Sequence, residues 1–332
     1  MSNARVAAEL LEPQPLAAQS SPSPSTQKFE LALARPFIYK SVSDETRAAY
    51  TRAIREFFAF VGGIHPAQVR PADVIAYRDY LRIKRKRKAN TIATKLAIVR
   101  SFFEYLRAGG VISFNPASTK LVTPPELPTE PQGRALTPKE VRHLLSGPDR
   151  SKPEGARGYA MLLVMLRLSL RLAEVSMLRV SAIKWSHGRW TLRCKVKGGR
   201  EETWPLPKDV KQAVDEYLKL DAARRRTLHS GGDDAYLFQP LVNYRTLQFD
   251  KPLSPRMIQK IVARWGAFTG VGHVTPHDLR RTVVTKLLND GRTYREVQMV
   301  TKHKDPKTVM RYDHARENLD ASPVNTLTYD EE

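Results

Sequence analysis

The sequence predicts a mainly helical protein with one small β-sheet, an α+β class, built as two domains. Three observations predict it. Apolar residues recur at helical spacing through most of the chain from Ser43 onward. One stretch, WTLRCKVKGGREETWPLP, alternates apolar and polar residues instead. Between two helical regions lies LVTPPELPTEPQG, whose spaced prolines favour extended chain over packed structure.

Residues 1–40 are rich in Ala, Ser, Pro and Gln, bury little apolar surface and read as a disordered tail. From Ser43, SDETRAAYTRAIREFFAFVGG sets Tyr50, Ile54, Phe57, Phe58 and Val61 on one stripe and ends on a Gly pair suited to a C-cap. A second helix starts near Pro71 and runs into a basic stretch of Arg82, Lys84, Arg85, Lys86, Arg87 and Lys88. Asn90 stands where a cap for the next helix belongs; Ile92, Leu96, Val99 and Phe103 follow at helical spacing until Gly109-Gly110. Residues 41–117 thus read as a helical bundle with a basic edge that includes Lys95. A charge run is usually a solvated face; here it joins two amphipathic helices of a very basic chain and predicts nucleic-acid contact.

The segment 118–135 reads as a linker and 136–322 as a second domain, with 323–332 an acidic tail. Thr137, Pro138 and Glu140 form a capping-box signature. Trp190, Leu192, Cys194 and Val196 share one face of a hairpin that turns at Gly198-Gly199, with Lys197 beside the tip. No internal repeat is evident.

Composition narrows the function. A formal net charge of +21 points to a polyanion, because Lys and Arg that neutralise phosphates release condensed counterions. The single cysteine, Cys194, excludes an internal disulfide and fits a reducing compartment. No apolar run approaches the roughly 18 residues of a membrane span, and the N-terminus lacks the pattern of a secretory signal. No HExxH, Cys-rich pattern or Walker-type glycine loop appears, so neither a metal nor a nucleotide cofactor is expected.

Single residues then stand out. His277 and Arg280 in HDLRRTVVTKLL lie three apart and share a helix face, while Leu279, Val283, Leu287 and Leu288 point to a core. Arg supplies a permanently charged fork for a phosphate, and His can exchange a proton near neutral pH. Alone, H-x-x-R equally describes a surface pair. In LLVMLRLSLRLAEVSMLRV, an apolar helix by pattern, Arg171 is costly unless paired with Glu174 or aimed at an anion. Finally, TKHKDPKTVMRYDHA places His303 nine residues before Tyr312, with Asp305-Pro306 opening a helix that would carry the tyrosine.

In this order, Arg171, Lys197, His277-x-x-Arg280, His303 and Tyr312 resemble the tyrosine recombinases, the phage integrase family, over residues 43 to 315. The resemblance implies an N-terminal core-binding bundle and a mixed α/β catalytic domain that clamp double-stranded DNA. It implies strand cutting and rejoining through a covalent 3′-phosphotyrosine, Tyr312 being the nucleophile. Arg171 and Arg280 would clamp the phosphate, His277 and His303 would assist the nucleophile or the phosphate, and Lys197 would protonate the leaving 5′ oxygen. Glu174 would hold Arg171. A homotetramer assembled on two DNA sites, a C-terminal segment docking in trans, a possible accessory directionality protein and a cytoplasmic, nucleoid-associated location follow from the same likeness. A simple Xer-like or Cre-like type fits the short polar N-terminus. The rivals are a type IB topoisomerase and a catalytically inactive DNA-binding protein. Two positions depart from the family pattern: Ser169 and Lys302 stand where it has glycine. Their backbone is therefore expected to be set differently, and Lys302 is expected to add a cation near the phosphate.

Overall fold

The computed structural model describes residues 28–127, 133–196, 199–229, 231–241, 250–313 and 323–326. The chain divides into two compact units, Met1–Thr129 and Glu130–Glu332.

Among its described residues the first unit holds four α-helices: α1 (Leu31–Tyr39), α2 (Asp44–Phe60), α3 (Pro71–Asp79) and α4 (Ala89–Ala108). The first of these corrects the reading of residues 1–40 as a tail. Within α1, Ala34, Phe37 and Ile38 are buried, and Phe37 stacks on Tyr50 of α2. Pro36 sits inside the helix, where a proline reads as a helix breaker and hides an element that tertiary packing stabilises. Ser43 caps α2 by accepting from the Thr46 N–H. The stripe read from sequence forms the core, where Phe57, Phe102 and Phe103 are completely buried. Each such ring contributes about 1.5–3 kcal/mol of burial. Asn90 is not the cap of α4: the cap lies two residues earlier, at Lys88, and the helix begins at Ala89. After α3, residues Tyr80–Lys84 continue as a π-helical turn, and the chain leaves it through Lys86 at φ 46°.

The second unit opens with Gly133–Leu136 bound along another helix of the same unit, then α5 (Pro138–Ser146) behind the expected Thr137–Glu140 capping box. The central helix α6 (Pro153–Leu168) is buried along most of its length and packs against α8 (Lys208–Thr227). Between them come α7 (Leu172–Ser176) and an antiparallel sheet in the order β1 (Ile183–Ser186), β2 (Arg189–Lys195), β3 (Glu201–Pro205). The β2–β3 hairpin matches the alternation read from sequence, with Leu192 paired to Trp204. Strand β1 is an addition. Helices α9 (Pro255–Phe268), α10 (Pro276–Asn289), α11 (Tyr294–Thr301) and α12 (Pro306–Met310) follow. Along α10 it is Val284, not Val283, that is fully buried. A small separate core of Val284, Val297 and Val309 also holds the ring of Tyr312. Among the described residues, no helix is long and apolar enough to cross a membrane.

Candidate active site

One cleft in the second unit, about 940 Å³, is lined by Arg171, His277, Arg280, Lys302, His303 and Tyr312. Residues up to 141 positions apart in sequence meet here because two helices end, rather than continue, at its wall. The apolar run through Arg171 is not one helix. It breaks after Leu168, where Ser169 adopts φ 54°, ψ 31° and closes α6 in the left-handed region. Arg171 is then the residue that precedes α7, not a residue inside a helix. Glu174, 5% exposed, accepts from the Arg171 backbone N–H at 2.7 Å and from its guanidinium at 2.9 Å. The carboxylate thus fixes both the start of α7 and the direction of the arginine.

The second helix end is built in the same way. Lys302 closes α11 at φ 53°, ψ 35°, again left-handed. The two family glycine positions therefore keep a glycine-like backbone without glycine, a correction to the expected change of geometry. A left-handed non-glycine residue costs about 1–2 kcal/mol. What compensates is visible in Arg280, 5% exposed, whose Nη1 donates to the Ser169 carbonyl and whose Nη2 donates to the Thr301 carbonyl at 2.6 Å. One cation thus satisfies the terminal carbonyls of two helices at the negative ends of their dipoles. Burial, and then the Arg171 charge, lower the Arg280 pKa to about 10, so it remains charged at neutral pH.

Lys302 does not add a free cation at the cleft. Its ammonium lies 3.2 Å from Glu202 on β3 and 5.3 Å from the Trp204 ring centre. Trp204 Nε1 donates to the Val300 carbonyl at 2.7 Å, so β3 is tied twice to the end of α11.

His303 follows this turn. Its Nδ1 is 2.9 Å from Thr301 Oγ1, and that hydroxyl donates to the Val297 carbonyl at 2.8 Å. With the single hydroxyl proton committed, Thr301 accepts from His303, which leaves Nε2 with the lone pair. Burial first, then Arg280, Arg171 and His277, hold the His303 pKa down to about 3, so the ring is neutral across the physiological range.

His277 lies at the first turn of α10, behind a Thr275–Asp278 capping box. Its ring is solvent-accessible, yet crowding by protein and the charges of Arg281 and Arg280 lower its pKa; Asp278 opposes them. Its Nε2 stands 3.4 Å from the Tyr312 hydroxyl. Tyr312 is not carried by a helix as expected: α12 stops at Met310, and the tyrosine lies in the turn beyond, its N–H bonded to the Val309 carbonyl. Asp305 caps α12, as read from the sequence.

The structure thus brings together Arg171, His277, Arg280, His303 and Tyr312, with Glu174 behind Arg171. Lys197 lies outside the described residues; strands β2 and β3 end and begin on either side of it, at Lys195 and Glu201. In the first unit Arg82, Lys84, Arg85, Lys86, Arg87 and Lys88 are all exposed. Lys95 differs, being half-buried and paired with Glu56. Sequence reasoning missed Thr301, which sets the His303 ring, and Arg281, whose guanidinium carbon is 5.2 Å from the Tyr312 ring centre. No spacing rule marks Thr301. Arg281 is a second arginine in a motif whose first arginine already satisfies the pattern.

Comparison with known proteins is consistent across sequence and fold. The model of the "Phage integrase family" matches residues 134–318, and that of the "Phage integrase, N-terminal SAM-like domain" matches residues 17–108. The chain is similar to tyrosine recombinase XerC of Herpetosiphon aurantiacus, at 31% identity over 87% of this chain and 90% of that protein. It is also similar to tyrosine recombinase XerC of a Roseiflexus species, at 30% identity over 86% and 88%. Its fold resembles that of a lambda integrase dimer bound to a COC′ core site, with a TM-score of 0.64 and 14% identity over 91% of this chain and 98% of that one.

Proposed function

This chain belongs to the phage integrase family, the tyrosine site-specific recombinases, and from that premise we propose that Tyr312 is the nucleophile that cuts duplex DNA. The observation that carries this reading is the Tyr312 hydroxyl set 3.4 Å from His277, in the cleft that Arg171, Arg280 and His303 also line. That distance is long for proton transfer, and such contacts tighten when substrate is bound.

A phenol is mostly protonated at neutral pH and attacks phosphorus only as its proton leaves. His277, neutral because its pKa is lowered, accepts that proton. The tyrosine oxygen bonds to phosphorus, the bond to the 5′ oxygen breaks, and a 3′-phosphotyrosine and a free 5′ hydroxyl result. Lys197 donates the proton that the leaving oxygen takes, a role that rests on family likeness. Charge gathers on the non-bridging oxygens, and the fixed guanidinium groups of Arg171 and Arg280 stabilise it, a kind of interaction that usually supplies the largest single catalytic contribution. His303, neutral with its lone pair on Nε2, serves as an acceptor toward the nucleophile and not as a donor to the phosphate. Rejoining is the same sequence in reverse, with a 5′ hydroxyl as the attacking group.

Double-stranded DNA is the partner in this reading. The net charge of +21 and the exposed run from Arg82 to Lys88 support it. So does the lambda integrase neighbour, which is bound to a DNA site. The reading takes residues 41–117, extended by α1, as the core-binding domain and 136–322 as the catalytic domain. Four copies assemble on two sites in the cytoplasm, at the nucleoid, and an accessory protein can set direction. Binding and cleavage separate the roles: Arg171→Ala or Arg280→Ala should cut strand cleavage at least a hundredfold while changing DNA affinity far less, as loss of a fixed transition-state donor does. Equal losses in both would mean that the arginines only hold DNA.

A further inference from the structure

We propose that Arg281 is a positioning residue for Tyr312, holding the phenol ring through a guanidinium that is itself held by the chain entering the second domain. The inference rests on Tyr312 being the nucleophile.

Adjacent arginines on α10 serve different ends. Arg280 reaches the Ser169 and Thr301 carbonyls. Arg281, 4% exposed, donates from Nη1 to the Gly133 carbonyl at 2.9 Å and stands 5.2 Å from the centre of the Tyr312 ring. Gly133 is fixed in turn. The Arg134 N–H donates to Asp278 Oδ1 at 3.2 Å, and the Leu136 N–H donates to Thr282 Oγ1 at 2.8 Å. A Cβ on Gly133 would lie 2.5 Å from Asp278 Oδ1, so the approach needs glycine.

Tyr312 requires such support. It lies in the turn beyond a five-residue helix, held on its backbone by the N–H that donates to the Val309 carbonyl. Val284, Val297 and Val309 pack its ring but do not orient the hydroxyl. A cation at the ring supplies a directional contact and favours negative charge on the phenol as the proton departs. The same cation disfavours a proton on His277 and keeps that ring an acceptor. The other groups bearing on His277 are Asp278 and Arg280 on α10, Tyr312 beyond α12, and His303; Arg171 lines the same cleft.

The test uses the full chain and nicked suicide duplexes tiling the DNA that flanks its reading frame. Single-turnover formation of the covalent adduct is followed against pH for wild type, Arg281→Gln, Arg281→Lys and Tyr312→Phe. Arg281→Gln is expected to slow adduct formation roughly 2- to 30-fold, the range of a cation–ring contact from exposed to desolvated settings. Binding to the same duplex should stay within about twofold of wild type. The acidic limb of its pH profile should move to higher pH, because His277 protonates more readily without the neighbouring charge. Arg281→Lys, which keeps the charge but loses the planar fork, should restore the acidic limb and part of the rate. A folded Arg281→Gln that cleaves as wild type does, or that slows with an unmoved acidic limb, overturns the proposal. Should Arg281→Gln fail to fold, Arg281→Lys alone decides: a wild-type rate overturns the proposal, and a slower rate with unchanged binding and an unmoved acidic limb supports it. An adduct surviving in Tyr312→Phe overturns the underlying assignment instead, and is recognised separately.

Discussion

Replacing Ser169 with glycine should stabilise the protein, although the Ser169 carbonyl holds Arg280 of the candidate site. Ser169 holds φ 54°, ψ 31°, where a non-glycine residue costs about 1–2 kcal/mol. Its hydroxyl is buried and has no hydrogen-bond partner among the described residues, a loss of about 1–3 kcal/mol if nothing answers it. Against these stands the greater chain entropy of glycine, about 0.5–1 kcal/mol. A net gain of about 1–4 kcal/mol is expected, and for a domain of this size each kcal/mol raises Tm by about 2–4 °C. The carbonyl that receives Arg280 belongs to the backbone and survives the change. Differential scanning calorimetry of the full chain, resolving the transition of the second unit, is the assay. Ser169→Ala separates the two effects, since it removes the hydroxyl and keeps the strain. The expected order of Tm is glycine above alanine above serine. Alanine matching glycine would refute the strain argument, and a lower Tm for glycine would refute the whole account of this turn.

Removing the carboxylate behind Arg171 should be far more damaging. Glu174→Ala leaves a partly buried arginine without its partner, and breaking a buried pair costs about 3–5 kcal/mol; chemical denaturation should show it, with cleavage falling more than DNA affinity. Acid should also weaken the fold. His303 has a folded pKa near 3 against about 6.5 unfolded, so the unfolded chain binds the extra proton below pH 6.5. Stability from this group is complete above pH 6.5 and declines as pH falls toward 3, at no more than about 1.4 kcal/mol per unit. In His303→Asn that part of the pH dependence should disappear from urea-unfolding midpoints; an unchanged slope would refute the assignment.

Much of the site was legible because its chemistry is carried by residues that composition makes conspicuous. Arg171 is a charge in an apolar run, and His277-x-x-Arg280 falls on one helix face. The geometry around them was not legible. The break before Arg171 is marked by neither glycine nor proline, because Ser169 takes a left-handed backbone whose strain is offset by a buried arginine 111 positions away. A local pattern cannot show a partner that distant. Lys302 misled for the same reason: its charge suggested a phosphate, and only the pairing of β3 with the end of α11 supplies Glu202. Helix α1 escaped notice because Pro36 and a polar approach obscure nine residues whose stability comes from Tyr50 and the Phe102 ring. The capping signatures at Thr137 and Asp305, being local, were read correctly.

The proposed covalent bond between Tyr312 and DNA is open to a direct test. Wild type and Tyr312→Phe should be incubated with nicked suicide duplexes from the flanking DNA and resolved on a denaturing gel. A slow-migrating protein–DNA band is expected in wild type alone, with DNA affinity nearly equal in the two proteins. The same band persisting in Tyr312→Phe would contradict it.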